Sequence, residues 1–344
     1  MKYPVISLAV ISSAIALAAP ARAEAVNVSY QPALMWSLPL YIANEKGWWK
    51  DIGLEPTFHV FPAGPQQLAT IPSKAWDVGA TGSPISVLGT ARFNLLTIAI
   101  GTDQSDTAAV LARESDAEAF MKNPLLLKGK EILLTTNTTG EYTAFACLKK
   151  FGLAPADMRV VNLGPAQTIA AYSSGNGTVA AAWPPYSYTL EDKANAKVIC
   201  NGREGGAAVT TTLVVREDYA KERPDIVAKF VAVYLRAVSW EKKHKSETMA
   251  YMKAFYPTGG TNLSDKFIEI DYDKSPIFTL DEQFKLFDRS AGPSIVDKWH
   301  DGLAEYLKAT GTIAKVPDVN HYITDKFLRM VADDPKLRAF ANGE

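Results

Sequence analysis

Short apolar runs of strand length alternate with segments of helical apolar spacing through the first two thirds of this chain, and that rhythm constrains its fold most. Residues 26–30 read as a strand. Residues 38–50 follow with Leu40, Ile42, Ala43 and Trp49 at helical spacing before Gly53 stops them. Strands at 55–61, 76–80 and 95–101 alternate with helices at 65–73 and 85–93. A second set begins after Asp106, with strands at 108–113, 131–135, 159–162, 178–182, 197–200 and 211–216. Helices at 116–121, 141–151, 167–173 and 185–194 separate most of them. Such alternation predicts an α/β fold of doubly wound sheets, and the two sets predict two lobes. Beyond Arg223 the pattern turns helical, at 226–242, 246–255, 280–286, 293–309 and 319–331. Over 344 residues, 36 Lys+Arg balance 37 Asp+Glu, and 47% of residues are hydrophobic against 21% charged. This balance excludes a basic nucleic-acid binder and a disordered chain.

The N-terminus is a separate signal. Lys2, an apolar run over 5–19 and the small-x-small triplet Ala21-Arg22-Ala23 predict a secretory leader cleaved before Glu24. Its run of about 15 apolar residues falls short of the roughly 20 that a bilayer core requires. No Cys stands at the junction to carry a lipid. Removal of residues 1–23 deletes Lys2 and Arg22 and no acid, leaving a mildly acidic exported chain. Its two cysteines, Cys147 and Cys200, can pair in an oxidising compartment or stay as buried thiols. The Cα separation that decides between these is not a sequence property.

In an open α/β sheet, ligands bind beyond the carboxyl ends of the strands, where helix N-termini present unpaired N–H groups. Four junctions carry small or hydroxyl residues suited to this: Ala63-Gly64-Pro65-Gln66, Thr81-Gly82-Ser83-Pro84, Thr138-Thr139-Gly140-Glu141 and Trp183-Pro184-Pro185-Tyr186. The same residue types also cap helices. Phosphate-loop, dinucleotide, nucleophile-elbow and zincin motifs are all missing. His59, His244, His300 and His321 are scattered, and the run from Glu241 to Lys245 reads as the solvated end of a helix.

An ordered series of motifs carries a resemblance. It runs through Tyr30-Gln31, Pro39-Leu40-Tyr41-Ile42-Ala43, Lys46-Gly47-Trp48-Trp49, Phe61-Pro62-Ala63-Gly64-Pro65-Gln66 and Asp77-Val78-Gly79 with Thr81-Gly82-Ser83. It continues through 127–130, Pro165-Ala166, Ala170-Ala171-Tyr172, Trp183-Pro184-Pro185-Tyr186 and Val215-Arg216-Glu217-Asp218-Tyr219. In this order the chain resembles the periplasmic substrate-binding proteins of importers for taurine, alkanesulfonates and related solutes. The resemblance implies a type II two-lobed fold joined by two crossings, near 103–106 and near Arg216. One lobe is then 24–105 plus 217–344 and the other 106–216. It further implies a periplasmic monomer without cofactor, metal or catalytic activity, serving a membrane permease and its cytoplasmic ATPase. A fungal pyrimidine synthase shares this fold, but it relies on a cysteine-rich motif and pyridoxal phosphate. Two isolated cysteines do not supply that motif.

Within the resemblance, a sulfonate would be held by N–H and hydroxyl groups at Gly64, Gln66, Gly82, Ser83, Thr139 and Gly140, with Gln31 at the end of the first strand. Trp36, Trp183 and Tyr186 would bury it. Taurine-binding relatives carry an Asp on the returning strand, where this chain has Thr211 between Thr210 and Thr212. Glu141, Asp103 and Asp106 are acids near the expected cleft. Facing inward, Glu141 would repel a sulfonate about 5 Å away by roughly 3 kcal/mol at an effective dielectric of about 20. It would then call for a guanidinium, betaine or pyrimidine type of solute. Glu141 reads equally as a partner for the helix dipole.

Overall fold

The computed structural model describes residues 23–344, so the expected leader lies, apart from Ala23, outside the described residues. Two five-stranded sheets form the frame. The first contains β1 (Glu24–Tyr30), β2 (Leu54–Val60), β3 (Val78–Gly82), β4 (Leu95–Asp103) and β10 (Thr210–Arg216), in the order β2-β1-β3-β10-β4. The second contains β5 (Ala109–Arg113), β6 (Glu131–Leu134), β7 (Arg159–Asn162), β8 (Val179–Ala182) and β9 (Ala196–Asn201), in the order β7-β6-β8-β5-β9.

Each sheet is mixed for one reason. Strand β5 reaches the second sheet directly from β4 and runs antiparallel to β8 and β9. Strand β10 returns and runs antiparallel to β3 and β4. The chain therefore crosses between Asp103 and Ala109 and crosses back between Asn201 and Thr210. This corrects the expected second crossing near Arg216. Residues 210–216 belong to the first sheet, where Leu213 stands opposite Ala80 on one side and Ala99 on the other. Every residue of β10 is buried, as expected of an interior strand covered on both faces.

Local chemistry explains where elements stop. The helix expected over 38–50 divides into Leu38–Glu45 and Trp48–Asp51, because Gly47 adopts φ 73° and turns the chain. The segment expected as one helix over 319–331 divides into Val319–Tyr322 and Lys326–Asp333. Helix Asp265–Lys274, with only Ile268 and Asp271 buried, has too weak an apolar stripe to announce itself. The longest helix, Pro224–Lys243, packs an apolar face including Phe230, Val231 and Leu235 into the core. Among the described residues, no helix is long and apolar enough to cross a membrane. Cys147 and Cys200 are joined by a disulfide, with a Cα separation of 6.0 Å, which ties helix Thr139–Lys150 to β9.

Glu241 departs most from its sequence context. Far from being solvated, it is fully buried, and neither carboxylate oxygen has a hydrogen-bond partner. The Tyr272 hydroxyl donates to its backbone carbonyl at 2.9 Å. Burial raises its pKa well above the ordinary value. A raised carboxyl pKa favours the folded state below the unfolded pKa, near 4.5, and that advantage is lost as pH rises toward the folded pKa. The slope is up to about 1.4 kcal/mol per pH unit. Glu241→Gln should therefore gain stability over wild type progressively as pH rises from 4 to 8, measured by urea unfolding. A gap that stays constant with pH would contradict this assignment.

Candidate functional site

The carboxyl ends of β1, β3, β4, β6 and β8 meet between the lobes around a narrow cavity of about 20 Å³. The first lobe contributes Gln31 beyond β1, Trp36, Gly64, then Gly82, Pro84 and Ile85 beyond β3, Gln104 beyond β4 and Thr211 on β10. The second contributes Thr138 and Thr139 beyond β6 and Trp183 beyond β8. That is room for about one water, so the two lobes stand nearly shut on one another here.

The lobes touch around this cavity. A Cβ placed on Gly82 would come 3.2 Å from Thr139 Cγ2. On one flank the Tyr142 and Phe145 rings of the second lobe pack on Tyr306 of the first, with centroids 5.0 and 6.1 Å apart. On another, the Asp192 carboxylate accepts hydrogen bonds from Ser264, from N at 3.2 Å and from Oγ at 3.1 Å. A solute can enter only as these contacts separate.

Helix Ser83–Phe93 begins at Gly82 and helix Thr139–Lys150 at Thr138, and neither start has a side-chain cap. Their first-turn N–H groups and positive dipole ends therefore converge on the cavity. No charged side chain lines it. Helix termini without basic side chains give a moderate positive potential suited to a single negative charge.

The polar atoms in the wall divide into two groups. Gln31 Nε2 donates to Gln67 Oε1 at 2.5 Å, and Gln67 Nε2 donates to Ser29 Oγ at 2.7 Å, which locks the amide pair. Thr211 Oγ1 accepts from Thr102 N at 2.8 Å, and Thr138 Oγ1 donates to Thr135 O at 2.7 Å. By contrast, Trp36 Nε1 and both polar atoms of the Gln104 side chain have no protein partner, although Trp36 is 2% and Gln104 0% exposed. Each such buried orphan costs about 1–3 kcal/mol, so groups left free at a cleft are suited to a guest.

Of the expected site residues, Gln31, Trp36, Gly64, Gly82, Thr139, Trp183 and Thr211 line the cavity. Gln66 does not: it is exposed, and its neighbour Gln67, about 100° further round the short helix, is the buried one. Ser83 is buried, but its Oγ is engaged by Thr210, whose carbonyl lies at 2.8 Å. Asp106 is exposed and paired with Arg203 at 2.7 Å, on the outside of the crossing, and Asp103 joins the same guanidinium. Gly140 stands behind the wall, where a Cβ would lie 3.2 Å from Trp183 Cε3. Tyr186 also stands behind it, edge-on to Trp183 at 5.4 Å. Glu141 is turned away from the lining, and its Oε2 accepts the Asn137 N–H at 2.9 Å. Burial raises the Glu141 pKa, partly offset by that hydrogen bond. Gln104 and Thr138 are the polar lining residues that sequence reasoning missed. Gln104 sits between the two acids that drew attention by charge.

The comparisons agree with this architecture. The taurine-binding periplasmic protein of Escherichia coli (strain K12) is 24% identical over 91% of this chain and 95% of its own length. The alkanesulfonate-binding protein SsuA from Xanthomonas axonopodis pv. citri, solved bound to MOPS, superposes with a TM-score of 0.72 at 19% identity. The match covers 89% of this chain and 99% of that one. The periplasmic nitrate-binding protein NrtA from Synechocystis PCC 6803 superposes at 0.75 with 12% identity, over 94% and 92% of the two chains. These solved structures establish the periplasmic binding protein fold expected from the sequence. The family model described as NMT1/THI5 like matches residues 36–248, more than half of the chain and all of the second lobe. On the strength of that match and of the two-sheet architecture it spans, this chain belongs to the NMT1/THI5-like family.

Proposed function

We propose that this chain is the periplasmic solute-binding component of an ABC importer and that its solute is a compact sulfonate-type anion or zwitterion such as taurine. One observation carries the reading. An entirely uncharged cavity lies where two uncapped helix N-termini meet, and Trp36 and Gln104, which line it, carry buried polar atoms without protein partners. N–H groups and dipoles favour a spread negative charge, and Trp36 and Trp183 bury the remainder. The names of the taurine-binding and alkanesulfonate-binding relatives support the same class.

A cationic or nitrogen-rich planar solute requires a carboxylate in the wall. None lines the cavity, and Glu141 is occupied with Asn137. In the proposed cycle the lobes close over the solute through the Tyr306 and Ser264 contacts, and the closed surface is presented to a permease coupled to a cytoplasmic ATPase. The protein acts as an exported monomer, delivered by the leader read from residues 1–23, and performs no chemistry on its cargo.

A thermal-shift screen of the mature protein tests the solute class. At 100 times its Kd a ligand stabilises the fold by about 2.7 kcal/mol. Taurine and ethanesulfonate should raise the melting temperature, and guanidinium and glycine betaine should leave it unchanged. Stabilisation by guanidinium with none by the sulfonates would reverse the assignment.

A further inference from the structure

At the end of the second sheet remote from the cavity, the chain passes from β5 through helix Glu114–Lys122 and the short 3₁₀ helix Pro124–Leu127 to the start of β6. Successive side chains of a 3₁₀ helix point about 120° apart, so Leu125, Leu126 and Leu127 cannot share one face. Leu127 takes the inward position and is fully buried, which leaves Leu125 54% and Leu126 48% exposed, with Met121 just before them at 53%. Among the described residues, six large apolar side chains are exposed. Three are these, and a fourth, Val160, lies beside Ile132 on the edge strand β7, near the same end. A lone exposed apolar side chain is ordinary, but a cluster marks a contact surface.

Positive charge gathers at the same tip. Residues 121–130 carry Lys122, Lys128 and Lys130 and no acid, in a chain of net charge −1. Helix Thr139–Lys150 starts at the cavity and brings Lys149 and Lys150, both exposed, to this far end. Lys122 is paired with Glu118 and Lys128 with Asp157, whereas Lys130, Lys149 and Lys150 have no salt-bridge partner among the described residues. These charges select the occupant. Two copies meeting through this tip would bring like charges together, which opposes their association. An anionic bilayer offers the opposite charge above an apolar layer, and lysine stems can lie along the leucines while their ammonium groups reach lipid phosphates.

We propose that this tip of the second lobe rests on an anionic lipid bilayer, with Met121, Leu125 and Leu126 entering the headgroup layer and the lysines around them meeting lipid phosphates. The contact holds the protein at the membrane surface without spanning it. Because the tip lies wholly within one lobe, at the end away from the cavity, the contact is the same whether the lobes are open or shut and does not depend on which solute they enclose.

Co-sedimentation of the mature protein with vesicles tests this, comparing pure phosphatidylcholine with phosphatidylcholine holding about 30% phosphatidylglycerol at low ionic strength. A lysine near an anionic surface counts for roughly fivefold in partition, so the three unpaired lysines should give wild type a preference of about 100-fold for the anionic vesicles, lost at about 1 M salt. Leu125→Ser with Leu126→Ser should cut binding to the anionic vesicles at least about tenfold. Lys130→Gln with Lys149→Gln and Lys150→Gln should remove most of the preference for them. All five positions are exposed, so both variants should melt and bind taurine as wild type does. Equal partition of wild type onto the two kinds of vesicle would overturn the proposal, as would either variant binding the anionic vesicles as wild type does. A dimer that the leucine variant dissolves, without vesicle binding, would overturn it in favour of a second copy on this face. A wild type that binds the anionic vesicles but not taurine would strike the solute assignment and leave this contact standing.

Discussion

Gln104→Leu should weaken taurine binding by roughly one to four decades while leaving the free protein as stable as wild type or more so. The Gln104 backbone holds the first crossing, donating to Val209 O at 2.7 Å, and its side chain supports nothing in the protein. Both of its polar atoms are buried without partners, so an apolar replacement of similar shape removes a cost of about 1–3 kcal/mol for each from the free state. In the taurine complex the same replacement strips a sulfonate oxygen of the Nε2 donor and the ammonium of the Oε1 acceptor, and each loss again costs about 1–3 kcal/mol. At about 1.4 kcal/mol per decade, this amounts to between one and four decades of affinity. Calorimetry and melting on the same preparations separate the two effects. A variant that loses stability in step with affinity would make Gln104 a structural residue.

The largest effect on stability should come from the disulfide. Cys147 and Cys200 close a loop with a sequence separation of 53, for which the chain-entropy account gives about 4 kcal/mol. Both positions are fully buried, so alanine is the better replacement because serine would add two hydroxyls needing partners. Cys147→Ala with Cys200→Ala should therefore cost about 2–5 kcal/mol in urea unfolding. Cys147 lies two turns along helix Thr139–Lys150 from the end at the cavity, so sulfonate affinity should change little. A loss below about 1 kcal/mol would mean that the unfolded chain is not appreciably constrained by the bridge.

Much of the frame was legible because periodicity reports local geometry. The strand and helix alternation from Val26 to Gly101, and again after Asp106, marks the two sheets that form. The glycine and threonine junctions at Gly64, Gly82 and Thr139 fall at the cavity because strand ends and helix starts must lie there. What periodicity cannot carry is partnership. Strand β10 is buried on both faces, so its pattern does not say which sheet it joins, and the second crossing was placed several residues late. In the short helix Gly64–Ala69, one residue of phase separates exposed Gln66 from buried Gln67. Charge misled twice. Glu241 sits in a lysine-rich run yet is buried, and Asp106 attracted attention while the neutral Gln104 faces the cavity. Glu141, legible as either a cap or a ligand group, does not line the cavity and accepts the Asn137 N–H.

The central claim is that the two helix N-termini, with Trp36 and Gln104, hold a sulfonate between the lobes. Long-wavelength anomalous diffraction from crystals grown with taurine locates the sulfur directly. The predicted result is a sulfur peak in the interlobe cavity between the helix starts at Gly82 and Thr138, with an oxygen within hydrogen-bond distance of Trp36 Nε1 or Gln104 Nε2. A sulfur bound at another site, with that cavity holding only solvent, would contradict the account.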